Sequence, residues 1–440
     1  MTETVPDLGV HTGFHPSTKP YRFTILVFVS LLTLGSYFAY DIIAAISGDI
    51  MDSLGVEQGS IGLINAMYSI AAVLAVFFGG VLLDKLGTRK ASILFSTAVV
   101  VGATIVAFSK SILLLYIGRF IFGAGSETII VAQSTILSRW FKGKELALSF
   151  GIALTVSRIG SLFAFNTGTV IRDYFGGPYY ALLAAALICV LSFLANLVYI
   201  GMDRRGERIL HLKDGASGDK IVFKDIKHFQ PSFWFVTALC VTFYSAVFPF
   251  QTLAVQFFNE KWSISDIAAE SGTFFYKVFF NFIHMFSTAG GITSIAIFAS
   301  MILAPFAGRL VDRVGKRASL MVFGSLILIP VHLLMGITRI YPVIPMIALG
   351  AAFVLVPAAL WPSIPLVVPK ERVGTAFGLM TAIQNIGFGS FNPLNGWLRT
   401  LTGSYTASQV MFASLGIIGL VFAVLLMRAD RKAGGILQKP

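Results

Sequence analysis

Apolar residues fall in long runs separated by short polar stretches along nearly the whole chain. Twelve runs reach the length of roughly 20 residues that a helix needs to cross the hydrocarbon core of a bilayer. They are 22–46, 61–83, 91–109, 112–138, 145–171, 179–201, 233–258, 288–308, 318–338, 343–368, 372–398 and 405–427. Lipid cannot satisfy exposed backbone polar groups, so each run is predicted to be a helix. The first twenty residues are polar. The run that follows is too long for a signal peptide and has no small-residue cleavage site after it, so it reads as a retained first span.

Composition removes the soluble alternatives. Apolar residues make up 56% and charged residues 12% of the 440, where a soluble domain carries about 25% charged. A disordered chain needs the opposite balance. Two cysteines, Cys189 and Cys240, sit in apolar runs, which excludes a disulfide framework and a multi-Cys metal site. The six His are scattered, and no phosphate loop, dinucleotide fingerprint or nucleophile elbow occurs. No cofactor, no metal and no enzymatic chemistry are therefore expected.

Charge sets the orientation. Of the 33 Lys and Arg, 25 lie in the two tails and in every second loop, and six lie on the other side (Lys110, Arg172, Lys261, Lys277, Arg339, Arg399). By the positive-inside rule both termini are expected in the cytoplasm. The net charge of +12 is thereby spread over membrane loops and does not form a nucleic-acid surface.

The chain repeats itself. Gly80-Val-Leu-Leu-Asp84-Lys-Leu-Gly87-Thr-Arg89 ends the second run, and Gly308-Arg-Leu-Val-Asp312-Arg-Val-Gly315-Lys-Arg317 ends the eighth. Phe150-Gly151 to Gly160 matches Phe377-Gly378 to Gly387 at nearly the same offset, which aligns Arg158 with Asn385. The expected fold class is an all-α membrane protein with twelve transmembrane helices in two pseudo-symmetric six-helix bundles. The expected divisions are an N-terminal tail 1–21, a bundle 22–201, a basic linker 202–232, a bundle 233–428 and a tail 429–440. Parallel halves of this kind place a binding site between them near the midplane. An aromatic insert, 259–287, reads as an interfacial helix opposite the basic loops, either an oligomer contact or a lid.

The paired glycine–aspartate–basic segment resembles the signature of the major facilitator superfamily. The resemblance implies a gate built from Gly80, Asp84, Gly87, Arg89, Gly308, Asp312, Gly315 and Arg317, whose ion pairs with the neighbouring half form and break. Arg119-Phe-Ile-Phe-Gly123 resembles the second motif of that superfamily and implies a conformational role for Arg119.

A narrower likeness runs from about residue 30 to 430. Gly35-Ser-Tyr37-Phe-Ala-Tyr40-Asp41, Gly118-Arg119 through Glu127 to Gln133, Ser157-Arg158-Ile-Gly160, Ala359-Leu-Trp361-Pro362 and Ile383-Gln384-Asn385 look like the lysosomal dipeptide uniporter branch. No acidic-dileucine sorting signal occurs in the tails, so a cell membrane is expected before a lysosomal one. The glycosylated accessory subunit of the animal members is likewise not implied, and a monomer is expected; no N-x-S/T sequon occurs in the chain.

Ionisable residues inside spans mark function by default. Glu127 and Arg158 lie near mid-depth on adjacent helices. They form either a self-neutralising structural pair or a clamp for a zwitterion. The resemblance implies the clamp, with Glu127 on the α-ammonium and Arg158 on the carboxylate of a dipeptide. Asp41 with Tyr37 and Tyr40 is a wet interfacial carboxylate in an aromatic belt, a second amine contact or an outer gate. Gln133, Tyr244, Trp361, Gln384 and Asn385 complete the candidate site as polar contacts and walls. The expected function is dipeptide transport by alternating access, in uniport, with single amino acids as further cargo. A proton-coupled organic-anion or drug carrier is the alternative, and a membrane receptor or scaffold on the same fold is the non-transport alternative.

Overall fold

The structure is a computed structural model that describes residues 14–141, 145–210, 223–269, 271–369 and 372–439. Parts of the expected tails and linker (1–13, 211–222 and 440) lie outside the described residues.

Among the described residues thirteen α-helices follow one another: α1 Lys19–Ala45, α2 Ser47–Leu54, α3 Gln58–Ala107, α4 Ile112–Phe141, α5 Leu146–Phe175, α6 Pro178–Leu210, α7 Pro231–Trp262, α8 Phe274–Ile283, α9 Ala289–Val314, α10 Arg317–Ile337, α11 Val343–Val367, α12 Val373–Thr402 and α13 Thr406–Lys432. Nine of them are long and apolar enough to cross a membrane among the described residues. One of the nine, α3, is two spans run together, 50 residues long with a break at Gly87. With α9 and the amide-bearing α12, the two segments of α3 bring the architecture to twelve spans. α12 falls short on apolarity because Gln384, Asn385, Asn392 and Asn395 interrupt it. The two six-helix halves are joined through the segment between α6 and α7.

The break at Gly87 has a physical cause. Its φ is +73°, and its repeat mate Gly315 has φ +63°. A side chain is strained in that region, and glycine is not. The chain thus turns from one span to the next without a long loop, at the same place in both halves. α6 runs on to Leu210, past the expected span end at 201. Charges end a hydrophobic run without ending a helix, because the water-exposed turns keep their backbone bonds.

Among the described residues a set of side-chain bonds joins the halves near one end. Where α1 ends, Asn65 donates to Thr252 Oγ1 at 3.0 Å and Thr252 donates to Asn392 Oδ1 at 2.6 Å. Asn166 donates to Ser294 at 3.0 Å, Gln58 to Tyr405 at 2.9 Å, and Arg172 holds Asp49 at 2.8 Å and Asp266 at 3.2 Å. About 15 residues away from the Asn166–Ser294 bond along α5 and α9, or ~22 Å at 1.5 Å per residue, stand Gly151 and Gly308. A side-chain carbon on either would meet nothing within 4 Å. The two helices form a V, closed at the α1 C-terminal end and open at the end that carries the Gly87 and Gly315 turns. At the open end Lys19 lies 3.1 Å from Glu145, and this hydrogen bond holds the Glu145 carboxyl below its ordinary value.

The aromatic insert forms α8. It turns Phe275 and Phe279 outward, 82% and 64% exposed, and buries Lys277 and Asn281. Lys277 reaches Asp173 at 2.8 Å, and Asn281 donates to the Asn166 carbonyl at 2.9 Å. α8 belongs by sequence to the second half, yet it is pinned to α5 of the first.

Candidate functional site

Between the halves, on the open side of the Asn65–Thr252–Asn392 bridge, lies a cavity of about 220 Å³. Four helices of the first half line it: Ser36, Tyr37 and Tyr40 from α1, Tyr68 from α3, Ser126, Glu127 and Ile130 from α4, and Arg158 from α5. The second half supplies Tyr244 and Phe248 from α7, and Thr381, Gln384, Asn385 and Phe388 from α12. Tyr37 and Tyr40, like Gln384 and Phe388, are three or four residues apart, the spacing that puts two side chains on one helix face.

Glu127 is half-buried, and the Tyr68 hydroxyl donates to its Oε1 at 2.7 Å. That bond anchors one carboxylate oxygen of a residue that lines the cavity. Arg158 is also half-buried. Among the described residues, no carboxylate lies within 4.0 Å of it and no hydrogen bond satisfies it. Its guanidinium rests 5.2 Å from the Phe353 ring centre and 5.8 Å from that of Tyr37. The two charges therefore share a cavity without neutralising each other by direct contact. A charge held between aromatic faces in a low-dielectric site is a strong receptor for the opposite charge.

The repeat carries into the site. Asn385, the mate of Arg158, lines the same cavity from the second half, as does Tyr244, the counterpart of Tyr37. Gln384 lines it too, and Cys240 Sγ approaches its Oε1 at 3.4 Å. Trp361 stands behind the wall. It donates from Nε1 to the Tyr244 hydroxyl at 2.9 Å and stacks on Phe377.

Three of the expected binding residues, Trp361, Gln133 and Asp41, do not line the cavity. Gln133 is buried, and its amide donates to the Val29 carbonyl at 3.0 Å and to Thr33 at 3.1 Å. It ties α4 to α1. Asp41 is 8% exposed and has Ser161, Arg158 and Arg119 as its electrostatic neighbours.

Arg119 is 1% exposed and donates to the Ala39 and Tyr40 carbonyls at 3.0 Å and to Asn65 Oδ1 at 3.1 Å. Tyr40, Tyr68 and Phe122 surround it at 4.7, 5.4 and 5.0 Å. It orients α1 against α3 and α4 just beyond the cavity.

The repeated turns lie at the open end. Arg89 pairs with Asp203 at 3.7 Å and with Glu207, and Arg139 pairs with Asp203 at 3.4 Å. In this state these pairs join elements of one half. Asp84 and Gly80 lie on the last turns of α3 before Gly87. Gly308 stands open, Arg317 donates to the Lys439 carbonyl at 2.8 Å, and the Asp312 side chain lies outside the described residues.

Tyr68, Phe248 and Phe388 are additions to the expected site residues. Phe248 sits one turn after Tyr244 on the same face, a spacing that was legible. Tyr68 has no mate in the repeat, and a tyrosine within a span is common enough to carry no signal by itself.

A larger groove of about 430 Å³ runs between α1, α5 and α6, walled by Leu31, Leu34, Phe38, Ile159, Gly160, Phe163, Ile188, Leu191 and Ser192. It has no charged group, so the smaller charged cavity is the better candidate for recognition.

An all-helical fold of twelve spans with a polar cavity between two halves is that of a membrane transporter, and the protein is not an enzyme. The chain belongs to the major facilitator superfamily: the family model described as Major Facilitator Superfamily matches residues 29–283 and 273–438. It is 34% identical over 433 residues to the human protein named lysosomal dipeptide transporter MFSD1, covering 96% of this chain and 89% of that one. The zebrafish (Danio rerio) protein of the same name is 32% identical over 451 residues, covering 99% and 93%. The crystal structure of a point mutant of the nucleoside transporter NupG shares the fold with a TM-score of 0.67 at 14% identity, covering 91% of this chain and 99% of that one.

Proposed function

We propose that this protein carries dipeptides, and single amino acids with them, across the membrane by alternating access between its two halves. Glu127 takes the α-ammonium and Arg158 the carboxylate. The single observation that carries the reading is the Arg158 guanidinium, which has no carboxylate partner among the described residues and lines the same cavity as Glu127. Two opposite charges at fixed separation measure a cargo from end to end. The backbone of a dipeptide is constant, so its two ends can be held while its side chains vary. Near full-length similarity to proteins named as dipeptide transporters supports the same cargo.

The reading divides the chain into bundles 22–201 and 233–428 joined by 202–232, acting as a monomer. The bias of Lys and Arg supports cytoplasmic termini, which makes the open end the cytoplasmic one. The names of the relatives refer to lysosomes and lend no support to a cell-membrane location.

The test is ligand-induced thermal stabilisation of the purified protein, together with uptake into proteoliposomes. Dipeptides should stabilise it; N-acetylated dipeptides and dipeptide amides, each lacking one end charge, should not. Arg158→Ala should abolish both stabilisation and uptake. Full stabilisation of that variant by dipeptides would sink the clamp. Retained uptake of organic anions by Glu127→Gln would favour the anion-carrier reading instead. We also propose uniport: an imposed pH gradient alone should drive no accumulation of peptide.

A further inference from the structure

The two charges of the cavity keep separate aromatic company. Glu127 is held by Tyr68, whose ring meets Tyr40 at 4.8 Å. Both tyrosines belong to the first half and carry hydroxyls. Arg158 lies on a helix of the first half and has Tyr37 of that half at 5.8 Å, yet its guanidinium rests nearer Phe353 of the second, at 5.2 Å. Phe353 meets Phe248 at 5.6 Å, and Phe248 stacks on Tyr244 with 9° between the rings. Phe248 lines the cavity and Phe353 is buried behind it. No ring contact joins the Tyr40–Tyr68 group to the Tyr244–Phe248 group among the described residues.

We propose, resting on the dipeptide reading above, that Phe248 is the specificity-determining residue for the second side chain of the cargo and that it favours aromatic and large apolar side chains there. The argument is stereochemical. In a dipeptide the carboxylate and the second side chain leave the same Cα. A carboxylate on Arg158 therefore brings that side chain to the Phe353–Phe248 wall. The ammonium and the first side chain share the other Cα, so the first side chain meets Tyr40, Tyr68 and Ser126. Bare ring faces reward an aromatic guest by offset or edge contact. They leave a polar guest without hydrogen-bond partners. Hydroxyl-bearing walls at the other end impose no such bias. The carrier thus accepts many first residues and grades the second.

Competition uptake with Gly-Phe, Gly-Ala, Phe-Gly and Ala-Gly tests this in proteoliposomes. The native protein should prefer Gly-Phe over Gly-Ala by roughly tenfold in apparent affinity, the return on burying a ring. Phe248→Ala should bring that ratio close to one and leave the Phe-Gly to Ala-Gly ratio where it was. Phe248→Leu fills most of the space without a ring and should lose part of the same preference, which guards against a folding defect in the alanine variant. An equal fall in both ratios, or a native preference for Phe-Gly over Gly-Phe, overturns the assignment and leaves the clamp standing. Failure of all four peptides to compete would instead overturn the dipeptide reading itself.

Discussion

Tyr68 illustrates how one side chain sets the quality of a charged site. Its hydroxyl donates to Glu127, and its ring is held by Tyr40, Phe122 and the Arg119 cation. The phenol has little freedom to leave. A hydrogen bond to a charged group contributes about 1.5–3 kcal/mol, and each 1.4 kcal/mol is tenfold in affinity. Tyr68→Phe should therefore raise the KM for dipeptides, because the carboxylate is freed, and lower the unfolding temperature of the empty protein, which loses that bond. Uptake measured against peptide concentration reads the first, and thermal unfolding the second. The charged residues that line the cavity, Glu127 and Arg158, were legible in the sequence because ionisable groups are rare inside spans. Gln133 shows the limit of composition alone. At 100° per residue, six residues rotate it about 120° away from Glu127, and it turns to α1 instead. Applying the helical angle to that residue would have removed it from the candidate site.

At the scale of elements, glycines decide where helices cross. A Cβ on Gly62 of α3 would strike the Asn392 carbonyl oxygen and Pro393 Cα of α12. Backbone atoms do not move aside cheaply. Gly62→Leu should force the closed end apart, and Gly308→Leu should fit this state and hinder closure of the open end. A cysteine placed in the cavity and labelled with a membrane-impermeant thiol reagent from each side distinguishes them: the first variant should label faster from the closed end, the second from the open end. Equal labelling of both would count against the V-shaped arrangement. The spans themselves and the paired turns were readable from runs of apolar residues and from a repeated string. The seat of α8 was not. Its aromatic face predicted an interfacial helix, but its grip on α5 depends on Asp173 and on the backbone carbonyl of Asn166, partners that no periodicity identifies.

At the scale of the whole molecule, the two halves are unequal in what they bring to the cavity. Both cavity charges come from the first half, while the second contributes rings, amides and a threonine. A repeat inherited from duplication has thus diverged at its centre: Arg158 in one half faces Asn385 in the other. Sequence alignment of the halves revealed this difference, whereas the sharing of Phe353 with Arg158 required coordinates, because it joins helices nearly two hundred residues apart.

That inequality has an electrical consequence. A guest bearing one positive and one negative end brings no net charge to its seat, so the membrane voltage neither pulls it in nor holds it back. A guest with a lysine in either position brings one charge too many, and the field acts on it with about 2.3 kcal/mol for every 100 mV crossed. Under the proposed dipeptide reading the same carrier should be indifferent to voltage for neutral cargo and a voltage-biased path for cationic cargo, with no moving part added.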